Sequence, residues 1–216
     1  MTHSYIYFDI EPALRNISKD DLSAYKAAFA DAVEKNAAVY ARAYATLALK
    51  AGSRFMLHLR AEEASTIQNF VRDLLHTDLG RHLKITYTLL GLTRPSPYNP
   101  KNTEREEEDP ARRYLIVYPF TKTISWHLLP KEERGRIMKD HVAVGRKFNE
   151  SISQLLLYSY GIDDHEFIVS YQTDSLPDFQ TLVMELRGTE GRGHTLRDTP
   201  IFTCTRQTIK DVLEMI

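Results

Sequence analysis

The chain has 216 residues, 43% of them hydrophobic and 26% charged, with a formal net charge of −1 at pH 7. Those values are ordinary for a soluble globular protein; they lack the basic excess of a nucleic-acid binder, and no apolar run approaches the roughly 18 residues of a membrane span. A single cysteine, Cys204, excludes an intrachain disulfide, and the start Met1-Thr2-His3-Ser4-Tyr5 has neither a basic n-region nor an apolar h-region, so a cytoplasmic location is expected. The eight histidines are scattered without H-E-x-x-H or Cys-His spacing, and a protein-caged zinc site is not expected.

In chain order, the sequence predicts a strand over Tyr5 to Ile10 and a helix over Lys19 to Glu34. Strand-like residues follow from Val39 to Leu49 and from Arg54 to Leu59, separated by a turn at Lys50-Ala51-Gly52-Ser53. A helix from about Glu63 to Leu75 and a strand from about Leu83 to Leu92 complete the first half. The stretch from Arg94 to Arg113 is rich in proline and charge and reads as an exposed, mobile connection. The same order then recurs. A strand at Tyr114 to Phe120, a helix at Lys131 to Phe148 and strands at Ser153 to Tyr160 and Glu166 to Tyr171 lead to a helix at Pro177 to Arg187 and a strand at Pro200 to Thr205. Setting residue n over n+112 pairs Phe55 with Phe167, Gln68 with Gln180, Val71 with Val183, Leu74 with Leu186 and Thr77 with Thr189. The order β-α-β-β-α-β, met twice, predicts an α+β fold of tandem ferredoxin-like repeats, dimeric α/β-barrel-like within one chain. The expected boundaries are residues 1–93 for the first half, 94–113 for the connection and 114–216 for the second half.

The helix after Pro130 carries the most informative residue. Ile137, Met138, His141, Val144, Gly145 and Phe148 recur at helical spacing, so His141 lies on the apolar stripe. Gly145 one turn later removes a side chain beside it, which leaves room for something flat. A lone imidazole on an apolar face serves either as a core histidine bonded to carbonyls or as an axial ligand of a porphyrin iron.

Several separated motifs join this helix. Tyr118-Pro-Phe-Thr-Lys122, Trp126-His-Leu-Leu-Pro130-Lys-Glu-Glu-Arg134, Met138-Lys-Asp-His141 and Gly145-Arg-Lys-Phe148 together resemble the chlorite dismutase superfamily. Leu156-Tyr-Ser-Tyr-Gly161-Ile-Asp-Asp-His-Glu166-Phe167, Thr195-Leu-Arg-Asp198-Thr-Pro-Ile-Phe202 and Gly91-Leu-Thr-Arg94-Pro-Ser-Pro-Tyr98 extend the likeness over nearly the whole chain. The resemblance implies a homo-oligomer, a ring of five, with one haem-type porphyrin in the C-terminal half of each subunit, held through iron by His141. Chlorite dismutases of the superfamily carry an arginine thirteen residues after that histidine; here the position is Gln154. A neutral amide supplies neither the permanent charge nor the fork geometry of a guanidinium. Glutamine there, with tyrosine in a Tyr-Pro motif at Tyr118, is similar to the coproheme decarboxylases.

That branch implies a peroxide-dependent oxidative decarboxylation. Fe-coproporphyrin III (coprohaem) is both substrate and redox centre, hydrogen peroxide is the oxidant, and Tyr118 takes hydrogen from a propionate. Carbon dioxide leaves, and two rounds give the vinyl groups of haem b. Lys122 is then a partner for a propionate or a solvated lysine, Trp126 a pocket wall or ordinary core, and Arg113, beside Arg112, a propionate anchor or the charged end of the loop. Glu190, or failing that Glu185, is the expected carboxylate behind His141. Two features depart from that branch: no histidine lies between Leu83 and Trp126 to act as a base, so that Gln154, water or another group handles the peroxide proton or turnover is slow, and the block from Thr195 to Phe202 is closer to the chlorite dismutase side. Turnover of chlorite to chloride and dioxygen, and haem binding without a reaction, are the alternatives.

Overall fold

The computed structural model describes residues 1–95 and 112–216. Apart from its ends, the connection expected over residues 94–113 lies outside the described residues, as do Ser96, Pro97 and Tyr98 of the Gly91 motif. The chain divides into two compact units, Met1–Leu92 with Thr203–Ile216, and Thr93–Phe202.

In the first unit β1 (Thr2–Ile10) is central. It pairs antiparallel with β3 (Phe55–Ala61) on one side and β4 (Leu83–Leu92) on the other, and β3 pairs with β2 (Tyr40–Ala45). Strand alternation sends Ile6 and Phe8, with Phe55, Leu57 and Leu59, to one face. There they meet Phe29 of α1 (Lys19–Glu34), Phe70 and Leu74 of α2 (Ala64–His76) and Val212 of α6 (Ile209–Leu213). The start of α1 is set locally. Ser18 accepts the Asp21 N–H through its hydroxyl at 3.1 Å, and Asp20 and Asp21 in the first turn oppose the helix dipole.

After α2 the chain folds back onto the helix end. Thr77 donates its hydroxyl to the Leu74 carbonyl and accepts the Gly80 N–H, at 2.7 and 3.0 Å. A Cβ on Gly80 would stand 1.9 Å from the Leu74 oxygen, so only glycine fits this close approach. Gly80→Ala should therefore lower stability by about 3 kcal/mol, read as an earlier urea midpoint with an unchanged slope.

In the second unit β7 (Phe167–Thr173) lies between β5 (Tyr114–Lys122) and β6 (Ile152–Tyr158), antiparallel to both, and the short β8 (Thr195–Arg197) pairs with the end of β5. The registers Tyr118↔Val169, Leu156↔Val169 and Gln154↔Tyr171 put these residues on one sheet face. Two helices flank that face, α4 (Lys131–Arg146) and α5 (Leu176–Arg187). The short α3 (Ile124–Leu128) follows β5, with the Thr123 hydroxyl accepting the Trp126 N–H at 3.3 Å. Only Ile152, Val169, Tyr171 and Leu182 are fully buried in the cluster on this face. Side chains do not fill the space between sheet and helices, in contrast to the close packing expected of an interior.

The expectation of tandem ferredoxin-like repeats in a barrel-like arrangement is corrected. The last strand, β9 (Phe202–Gln207), was to complete a second repeat. Instead it hydrogen-bonds to β2 through Ala43↔Gln207, Tyr44↔Arg206 and Ala45↔Thr205, and Thr203–Ile216 belongs to the first unit. The backbone groups along the outer edge of β2 need partners, and β9 supplies them. The result is a mixed α/β fold on a large antiparallel sheet.

Candidate functional site

The unfilled space in the second unit is a cavity of about 610 Å³, a size suited to a cofactor or a large small molecule. Its sheet side is the β5–β7–β6 face, with Tyr118, Phe120, Val169, Tyr171, Gln154 and Leu156 pointing inward. The opposite side is α4, where Arg134, Met138, His141 and Gly145 follow one another at helical spacing. A Cβ at Gly145 would meet nothing within 4 Å, so the space beside His141 is open as expected.

His141 is half-buried. Desolvation holds its pKa down to about 4, with the nearby Lys122 ammonium pushing the same way, so the ring is neutral at pH 7. The Nδ1 side lies against Gly191, where a Cβ would stand 3.7 Å away. Among the described residues no group of three His, Cys, Asp or Glu side chains could hold a metal ion. His141 offers one neutral imidazole nitrogen, the kind of donor that an iron held in a macrocycle takes.

The expected carboxylates are occupied elsewhere. Glu190 accepts from Arg136 at 2.7 Å, and Glu185 accepts from Lys147 at 2.8 Å. Glu190 is nonetheless the residue next to Gly191.

Tyr118 reaches the cavity from the middle of β5. Burial raises its pKa, and hydrogen bonding with the Tyr171 phenol offsets part of that rise. The two rings are 6.0 Å apart and inclined by 26°. Gln154 is exposed to the cavity directly across from Tyr171. Lys122, at the end of β5, sets its ammonium 4.6 Å from the ring centroid of buried Trp126. Burial lowers the Lys122 pKa to about 8, against the pull of Glu166. The structure thus brings His141, Tyr118, Gln154, Lys122 and Trp126 to one cavity. Arg113 does not line it: its N–H donates to Asp174 at 2.9 Å and its guanidinium lies over Tyr114. Arg112 instead donates to the carbonyls of Glu150 and Ser151.

Sequence reasoning missed the cavity's charge. Arg94, Lys122, Arg134, Arg146, Arg187 and Arg192 line it against one carboxylate, Asp198, among the described residues. Asp198 takes Arg187 at 2.7 Å and Arg192 at 2.8 Å, and the Arg134 Nε is buried without a hydrogen-bond partner. In a protein of net charge −1, this concentration of cations marks an anionic ligand. The arginines stand on different elements, so no local motif announced them. An iron porphyrin with carboxylate side chains fits these residues: an open flat space, a neutral imidazole on one side, a sheet face on the other, and surplus cations.

Comparisons with known proteins identify the family. The sequence pattern of the chlorite dismutase family matches residues 19–207. Among curated proteins the chain is similar to a coproheme decarboxylase of Mycolicibacterium smegmatis, 27% identical, with 95% of this chain and 90% of the relative covered. It is also similar to a chlorite dismutase of Ideonella dechloratans, 26% identical, with 97% and 75% covered. Among solved structures, a mutant chlorite dismutase from Candidatus Nitrospira defluvii superposes with a TM-score of 0.92 at 25% identity, covering 99% of this chain and 94% of that one. With one family pattern spanning most of its length, the chain belongs to the chlorite dismutase family.

Proposed function

We propose that this protein is an oxidoreductase that binds an iron porphyrin through His141 and turns over a small oxidant at the sheet face carrying Gln154 and Tyr118. Family membership supports a haem-dependent enzyme of this class. The observation that carries the reading is the neutral His141 imidazole facing an open cavity of about 610 Å³. With Nδ1 against Gly191, Nε2 is the nitrogen left for iron.

When bound, the porphyrin iron supplies the redox chemistry. The protein's own groups hold and orient. Lys122 and Arg134 are the cations available to carboxylates of the macrocycle, beside Arg187 and Arg192, which Asp198 already pairs. The Gln154 amide, exposed to the cavity, would offer a hydrogen bond to an oxidant oxygen. Trp126, Phe120 and Tyr158 wall the space from water and strengthen those polar contacts.

The oxidant favoured by the comparisons is chlorite, converted to chloride and dioxygen, since chlorite dismutases stand among both the sequence relatives and the solved structures. A second reading, peroxide-dependent decarboxylation of coprohaem to haem b, is favoured by the six cations that face one carboxylate, because coprohaem carries four propionates. Tyr118, oxidised at the expense of peroxide to a phenoxyl, would then take hydrogen from a propionate β-carbon and return to the phenol. Reconstitution with ferric haem b and with ferric coproporphyrin tests the general reading: a Soret band with saturable one-to-one binding is expected, and its absence with both would end it. Dioxygen evolution from chlorite on an oxygen electrode, set against loss of two carboxyl groups under peroxide by mass spectrometry, separates the two reactions.

A further inference from the structure

Lys122 and Trp126 share one wall of the cavity, yet the group that ties them together stands behind it. Glu166, the residue before β7, directs its two carboxylate oxygens to two different segments. Oε2 accepts the Lys122 backbone N–H at 2.7 Å, and Oε1 is 2.8 Å from Nε2 of His127, the neighbour of Trp126 on α3. The β5–β8 ladder shifts register between Thr121 and Lys122, so the regular strand acceptor for that N–H is lost at this point. The Glu166 carbonyl accepts from the Ser159 N–H at 2.8 Å, which anchors the residue to the end of β6. Glu166 itself is absent from the cavity lining.

We infer that Glu166 is a positioning residue: it clamps the end of β5 to α3 and so holds the Lys122–Trp126 pair where the ammonium meets a carboxylate of the bound ligand. The clamp rests on the proposed porphyrin site for its ligand. Its geometry is independent of which reaction that site performs. Glu166 also sustains the Lys122 charge against burial, an effect a neutral side chain at 166 would lose.

Trp126 is the chain's single tryptophan, so emission excited beyond the absorption of the tyrosines reports on this wall alone. Glu166→Gln keeps the size of the side chain and removes its charge; His127→Phe keeps a ring beside Trp126, removes the nitrogen that meets Oε1 and leaves Glu166 in place. Without ligand, both variants should shift and strengthen or quench Trp126 emission relative to the parent. In titrations with ferric coproporphyrin followed by the Soret band, each should weaken binding about five- to tenfold. Lys122→Met should weaken it about as much, and adding Glu166→Gln to Lys122→Met should cost less than about twofold more, because the carboxylate acts through the lysine. A merely structural Glu166 would instead give additive losses. Equal losses in both backgrounds, or parental emission in both clamp variants, would overturn the inference. Should the parent protein bind no porphyrin, the function proposal falls, and the emission of the two clamp variants alone then decides whether the clamp stands.

Discussion

His141→Ala should weaken ferric porphyrin binding by more than about 100-fold and abolish the histidine-ligated Soret and charge-transfer bands. Added imidazole should restore part of the spectrum, because the cavity side of α4 stays intact and Gly145 leaves open space beside the vacated position. The same substitution has a second consequence in the ligand-free protein. The His141 pKa falls from the usual 6.5 to about 4 on folding, so between those values the unfolded chain binds more protons than the folded one. Stability from this residue is present above pH 6.5, declines as pH drops through that window, and is lost below about 4. The loss amounts to up to about 3 kcal/mol. Removing the imidazole should flatten that part of the acid arm in urea midpoints measured from pH 7 to 4. An unchanged acid arm would show that the ring is not held neutral by its surroundings, and would weaken its assignment as the iron ligand.

Tyr118→Phe is the change that divides the two reactions. It removes one oxygen from a half-buried ring whose packing against Tyr171 and the sheet face is otherwise kept, so porphyrin affinity should stay within about threefold. For coprohaem decarboxylation, loss of the phenol removes the hydrogen acceptor, and carbon dioxide release under peroxide should fall by more than about 1000-fold. Chlorite turnover makes no such demand on the phenol and should change little. Retention of full decarboxylation by the variant would assign hydrogen abstraction to another group, Tyr171 being the neighbouring phenol in the cavity.

Much of the local structure could be read from neighbouring residues. The helix over Lys19–Glu34 has the bounds expected of it, because Ser18 and the two aspartates that follow define its start within a single turn. His141 lies on the cavity side of α4 because side-chain direction in a helix follows from spacing alone. Tyr118, Lys122 and Trp126 were legible through the family likeness of the motifs that carry them, and β5 and α3 bring them to one cavity. Other expectations depended on pairings over long separations. Glu190 was expected behind His141, but Arg136, also on α4, takes its carboxylate. Arg113, expected to face the ligand, has its guanidinium over Tyr114 and its backbone N–H bonded to Asp174.

The sequence by itself determined the helices and strands, the apolar stripe bearing His141, and the motifs that mark the family. Those features arise from short-range dihedral preference, capping and periodicity. Only the tertiary structure decided that β9 joins β2 rather than closing a second repeat, and that Arg187, Arg192 and Asp198 meet in one cavity with Lys122 and Arg134. Strand partnership depends on which edge leaves backbone groups unpaired, and a charge cluster depends on elements distant in sequence; neither is encoded in any local stretch of the chain.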